Sequence, residues 1–259
     1  MRRALVLVPL LLLGATDACL HVLDRCEAPA AGATLECPLP GWFDRAFDLH
    51  VPRTWDGKTP LRVIVAFHGG GGNRASAEIV TCPDGVVGGA RCLPQQATEA
   101  GYLVILPDGT GTRPTRNVRT WNAGGGQGGW HCVSAGACEA GVDDVAWFDA
   151  LLAEVRRIVP IDPKRVFLTG LSNGGAITHR LACERPSVVA AIAPFGGTNQ
   201  FAAAGGRCDA RVPILQVHGT EDPCWGYVTT EATCSILKPG RKVDNNLLSH
   251  LIPPIRVVS

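Results

Sequence analysis

The run Arg165-Val166-Phe167-Leu168-Thr169-Gly170-Leu171-Ser172-Asn173-Gly174-Gly175 constrains this chain more than any other part of its sequence. Val166 to Thr169 has the apolar character of a buried strand, and the residues from Asn173 toward Glu184 suit a helix. Gly-x-Ser-x-Gly between a strand and a helix makes a sharp, strained turn that lifts its serine above the sheet. A side chain at Gly170 or Gly174 would crowd the backbone packed beside it. Ser172 is therefore expected to act as a nucleophile at a helix N-terminus, with the Asn173 N–H aimed where an oxyanion develops. The bland alternative is an N-capping serine in a glycine-rich turn.

The rest of the chain alternates strand and helix patterns. Phe47, Leu49 and Val51 alternate with polar residues, as in a half-exposed strand. Leu61 to Phe67 and Tyr102 to Leu106 are short apolar runs, as expected of buried parallel strands. Val145, Phe148, Leu152, Val155 and Val159 recur at helical spacing, with Asp143 and Asp144 suited to the positive N-terminal end and Pro160 and Pro163 to follow the last turn. Val188 to Ala193 and Pro213 to Val217 read as two further buried strands. The pattern predicts an α/β fold, a mostly parallel sheet with helices on both faces.

Arg2 and Arg3, an apolar run from Ala4 to Leu13 and the small residues Gly14-Ala15-Thr16-Asp17-Ala18 form a secretory signal over 1–18. The run is well short of the roughly 20 residues that span a bilayer, so no integral membrane span is expected. Cleavage after Ala18 would place Cys19 first, which raises lipid anchoring, although Thr16 is a poor residue for a lipidation box. Export makes the 11 cysteines disulfide candidates. Proximity pairs Cys26 with Cys37, Cys82 with Cys92, Cys132 with Cys138 and Cys224 with Cys234, leaving Cys183 with Cys208. No zinc-ligand spacing occurs and no metal is expected. A net charge of +1 gives no electrostatic footprint for nucleic acid.

Three other segments carry candidate chemistry. His68-Gly69-Gly70-Gly71-Gly72-Asn73 follows the strand Leu61–Phe67, where a glycine loop supplies a second oxyanion N–H, assigned to Gly70. A phosphate cradle is excluded because no Lys-Ser or Lys-Thr follows. His68 itself is expected to brace the loop rather than act as a base. His218-Gly219-Thr220-Glu221-Asp222-Pro223 follows the run Pro213–Val217 and offers Asp222 as the acid of a catalytic triad, with Glu221 as a competitor and a turn aspartate as the bland reading. Gly124 to Gly129 matches Gly-x-Gly-x-x-Gly but follows no apolar strand, so a surface loop is expected there instead of a dinucleotide site. Asp143 and Asp144 are read as capping residues.

His68 to Asn73, Pro107-Asp108-Gly109, Trp121-Asn122-Ala123, Gly141 to Val145, Arg165 to Gly175, Leu181 to Pro186 and His218 to Pro223 together resemble the secreted polyhydroxybutyrate depolymerase, feruloyl esterase and acetylxylan esterase group of α/β hydrolases. The resemblance spans roughly residues 40 to 240. It implies an α/β-hydrolase domain over 19–243, a triad of Ser172, Asp222 and a histidine, no cofactor, and an extracellular substrate in which an ester is part of a polyester or hangs from a polysaccharide.

The chain departs from that group after about Val243. The Gly-Gly-His-x-Trp-Pro segment that bears the group's histidine does not occur, and His250 is the one histidine that follows Asp222. The C-terminal strand and histidine segment are thus expected to be missing or altered, with 244–259 an atypical tail and His250 the candidate base. Two readings follow: a serine ester hydrolase working through an acyl-enzyme, or an impaired or truncated hydrolase fold that binds without turnover. Peptidase chemistry is a lesser option with the same triad. Trp121, Trp130, Trp147 and Trp225 are candidates for stacking on sugar or phenolic rings, Trp147 equally for packing in the core.

Overall fold

The computed structural model describes residues 25–111, 118–124, 136–220 and 222. The signal segment, Cys19, Trp130, Trp225, His250 and the tail 244–259 lie outside the described residues, as do most of Gly124–Gly129, Cys132 of the expected pair Cys132/Cys138 and both members of Cys224/Cys234.

Eight strands are assigned in the described residues: β1 (Thr34–Pro38), β2 (Ala46–His50), β3 (Leu61–Phe67), β4 (Tyr102–Pro107), β5 (Thr110–Gly111), β6 (Arg119–Thr120), β7 (Ile161–Leu171) and β8 (Val189–Phe195). The helices are α1 (Arg74–Ile79), α2 (Leu93–Glu99), α3 (Asp144–Ile158), α4 (Asn173–Glu184) and α5 (Gln200–Ala203). Six strands form one sheet in the order β1-β2-β4-β3-β7-β8, and β5 pairs with β6 apart from it. β1, β2 and β4 pair antiparallel, while β4, β3, β7 and β8 run parallel.

The apolar runs explain the layering. Val63, Val65 and Phe67 of β3 and Leu103 and Ile105 of β4 face one side of the sheet, against Val145, Phe148, Leu152 and Val155 of α3 and Ile177 and Leu181 of α4. Ala66, Val104 and Leu106 point the other way, onto Ala77 of α1 and Ala97 of α2. Alternate residues of a strand face opposite sides, so continuous apolar runs belong to strands covered twice. The result is the expected α/β arrangement with helices on both faces.

Four expectations require correction. The strand expected at Val166–Thr169 starts earlier, at Ile161, because a register shift between Leu61 and Val63 admits Pro163 into β7. Asp143 does cap α3, accepting from the Ala146 N–H, but Asp144 is buried in an ion pair with Arg45. Pro213–Val217 lies parallel to β8 through Leu215 N–H to Ile192 and Val217 N–H to Pro194, yet only isolated bridges form. It is an edge, not a buried strand, with Ile214 54% and Leu215 48% exposed, since no described element pairs with its outer side. Finally, Trp121 and Trp147 are wholly buried, so neither is presented to a substrate ring.

The disulfides Cys26–Cys37, Cys82–Cys92 and Cys183–Cys208 match the expected pairs. They tie β1 to the segment before it, close the loop between α1 and α2, and fasten the end of α4 to the segment after α5. Among the described residues no helix is long and apolar enough to cross a membrane.

Candidate active site

β7 ends at Leu171 and α4 begins at Asn173, leaving Ser172 alone to make the turn. Its φ of 54° and ψ of −118° place a non-glycine residue in a sparsely populated conformation, which costs on the order of 1–3 kcal/mol and persists only where surroundings enforce it. The surroundings are tight. A Cβ on Gly174 would lie 2.4 Å from the Phe67 carbonyl oxygen and 2.5 Å from that of His68, and one on Gly170 would lie 2.5 Å from the Gly174 carbonyl. Gly197 is as confined, 2.4 Å from the Ser172 oxygen by the same measure. The Ser172 N–H is spent on the Phe195 carbonyl at 2.7 Å, anchoring the turn to the end of β8. The Ser172 hydroxyl makes no capping bond to α4, which removes the N-cap alternative.

Asn173 is fully buried and serves the scaffold through its side chain. Its Oδ1 accepts from the Trp121 N–H at 2.7 Å, and its Nδ2 donates to the Trp121 carbonyl at 3.0 Å. That leaves its backbone N–H at the first position of α4, with no acceptor among the described residues. The Gly70 N–H likewise has none, and its loop passes beside the turn: a Cβ on neighbouring Gly69 would be 3.8 Å from Ser172 Cβ. Asn73, closing this loop, caps α1 reciprocally with Ser76.

His68 sits under the loop, fully buried. Gly109 N–H donates to its Nε2 at 2.9 Å, so the proton of the neutral ring is on Nδ1, which reaches the Gly69 carbonyl at 2.8 Å. Burial pushes its pKa down to about 4. The sign follows from proton uptake. The unfolded ring titrates at 6.5, so below that the unfolded state binds the extra proton and is favoured. The stability associated with a neutral His68 is complete above pH 6.5 and drains as pH falls toward about 4, amounting to about 3 kcal/mol. Melting temperatures between pH 7.5 and 4.5 are expected to fall more steeply for the native chain than for His68→Asn. Equal slopes would mean the ring takes its proton inside the fold. Burial lowers the pKa of His50 and His179 too, adding the same sign.

Asp222 lies at the same end of the sheet, its Oδ2 within 3.6 Å of where a Gly196 Cβ would stand and 3.5 Å from His218 Nε2. His218 Nδ1 faces the Gln216 amide nitrogen at 3.3 Å. Both nitrogens of His218 are thereby committed, as are those of His68. His179 Nε2 meets Gln216 Oε1, and His50, on β2, meets Thr34. None of these four described histidines makes a hydrogen bond to Ser172. The candidate His250 is among those outside the described residues, as is the competing acid Glu221.

Sequence reasoning missed the supports around the turn. Gly197 was legible as the second glycine after the β8 run. Arg45 had no local signal, because its partner Asp144 is 99 residues away.

A model of the phospholipase/carboxylesterase family matches residues 141–252, a range that includes Ser172, Asp222 and His250. Feruloyl esterase D of Neurospora crassa is 28% identical over 181 residues, covering 69% of this chain and 53% of its own length. The probable feruloyl esterase C of Aspergillus niger is 25% identical over 183 residues, covering 69% and 55%. The bifunctional acetylxylan esterase/xylanase XynS20E of Neocallimastix patriciarum is 30% identical over 135 residues, 52% of this chain and 17% of that one. The chain thus spans about half the length of these feruloyl esterases and less of the bifunctional enzyme. Among solved structures, native pOPH superposes with a TM-score of 0.50 at 22% identity, covering 77% of this chain and 71% of that one. The fold is that of the α/β hydrolases, and the sequence is similar to feruloyl and acetylxylan esterases.

Proposed function

We propose that this chain is a secreted serine carboxylic-ester hydrolase acting through an acyl-enzyme on esters of plant cell-wall polysaccharides, feruloyl or acetyl, or of hydroxyalkanoate polyesters. The observation that carries the reading is the strained Ser172 turn, with a hydroxyl that caps nothing. The first two substrate classes follow the names of the relatives. The polyester class rests on the resemblance of the motifs. Secretion rests on the basic, apolar leader of 1–18 and on the disulfides.

In this mechanism Ser172 Oγ attacks the ester carbonyl carbon and its proton passes to the imidazole of His250. The N–H groups of Gly70 and Asn173 receive the negative oxygen of the tetrahedral intermediate, fixed donors that cost no reorganisation as the charge develops. The imidazolium returns the proton to the leaving alcohol, and Asp222 holds the ring and its charge. Water then attacks the acyl-serine by the same route and releases the acid. No cofactor enters these steps.

The second reading, a hydrolase fold that binds without turnover, is favoured by one observation: none of the four described histidines makes a hydrogen bond to Ser172. A fluorophosphonate probe and p-nitrophenyl acetate separate the two. An ester hydrolase is expected to hydrolyse the acetate, to lose that activity on treatment with the probe, and to carry the phosphonyl group on the peptide containing Ser172. His250→Ala is expected to lose both reactions. A folded chain that neither hydrolyses nor labels establishes the binding reading instead.

A further inference from the structure

We propose that His179, Gln216 and His218 form a positioning chain that fixes the carboxylate of Asp222. This rests on the reading of Asp222 as the triad acid and adds the residues that act through it. The direction of each contact is set by an unambiguous first link. Gln216 Nε2 donates to the Gly197 carbonyl at 3.1 Å, and a carbonyl oxygen only accepts, so the amide orientation is fixed. Gln216 Oε1 then accepts from His179 Nε2 at 3.1 Å. The other hydrogen on Gln216 Nε2 faces His218 Nδ1 at 3.3 Å, which makes Nδ1 the acceptor. In the neutral ring the remaining proton is on Nε2, the atom 3.5 Å from Asp222 Oδ2.

The chain joins the acid to the nucleophile's own support. Gly197, which receives the Gln216 amide, is also the residue pressed against the Ser172 carbonyl, and Gly196 donates its N–H to Val217 at 2.9 Å. His179 belongs to α4, whose first residue follows Ser172. His218 and His179 are buried, 8% and 7% exposed, so water does not compete for their ring nitrogens. Gln216 is thus the residue that selects the Nε2–H tautomer of His218, and that tautomer presents a proton rather than a lone pair to Asp222.

The test is nitrogen-15 NMR of histidine-labelled full chain at pH 7.5, joined to p-nitrophenyl acetate kinetics and a melting curve for each variant. The native chain is expected to show His218 as the Nε2–H tautomer. Gln216→Glu replaces the donor at Nδ1 by an acceptor, is expected to move the proton to Nδ1, and lowers kcat on the order of 10–100-fold, as when an outer partner of a metal-ligating histidine is removed. KM is expected to stay within about twofold, because the chain touches no substrate. His218→Gln restores an N–H toward Asp222 and is expected to keep kcat within a few-fold, whereas His218→Leu loses it with the melting temperature of both variants alike. An Nδ1–H tautomer in the native chain overturns the proposal whatever the activity. So does unchanged kcat in both Gln216→Glu and His218→Leu. A native chain with the Nε2–H tautomer that neither hydrolyses the acetate nor labels at Ser172 overturns it through the failure of the hydrolase reading, and the tautomer distinguishes that failure from the others.

Discussion

Ser172→Ala is expected to lower kcat/KM for p-nitrophenyl acetate by about 10⁴–10⁶-fold, the loss typical of removing the nucleophile of such a triad. The melting temperature is expected to change little, because the hydroxyl makes no capping bond and alanine keeps the same strained backbone. Ser172→Gly sharpens the result. Glycine adopts φ of 54° without the Cβ penalty, so the variant is expected to be more stable than the native chain by about 1 kcal/mol and equally inactive. Stability gained as activity is lost is what strain held for function predicts. Comparable hydrolysis by the alanine variant would remove Ser172 from the reaction, and a less stable glycine variant would mean that the hydroxyl or its Cβ supports the fold.

The parts of this molecule written in local pattern were legible before the structure. β3 and β4 were readable because strands covered on both faces need unbroken apolar runs, and α3 because one face must repeat every three to four residues. The serine turn was readable because its glycines answer to a steric demand made by neighbours a few residues away. β1 was missed: it is a short edge strand with only Cys37 buried. Pro213–Val217 was read as buried on composition alone, and composition does not say whether a strand has a neighbour on its far side. Trp121 was misassigned to substrate binding because an indole beside glycines looks the same in sequence whether it faces a ligand or His68 and Trp147, as it does here. The pairing of Gln216 with His179 and His218 depends on which strand lies beside which helix, and no spacing rule encodes it.

The same limit hid the buried ion pair that carries the second large prediction. Asp144, its side chain fully buried, takes Arg45 Nη1 on Oδ1 at 2.6 Å and the Asn122 N–H on Oδ2 at 2.6 Å. The Arg45 guanidinium also lies 4.0 Å from the Trp147 ring centroid and 5.2 Å from that of Trp121. Burial pulls its pKa down and Asp144 pulls it back. Asp144→Ala would strand a charge under two indoles and leave the Asn122 N–H unmet, and is expected to cost about 3–5 kcal/mol in urea unfolding. For a domain whose stability lies in the usual range of about 5–15 kcal/mol, that is a large share. Arg45→Met alone is expected to be costly for the mirror reason, an unpaired carboxylate. The double variant Arg45→Met/Asp144→Leu is expected to cost less than the two single changes together, since no charge is then left without a partner. Activity should follow in the single variants, because Asn122 adjoins Trp121 and Trp121 is bonded twice to Asn173. Additive costs would mean that the two side chains are held independently, and that the loop at Trp121 owes its place to packing alone.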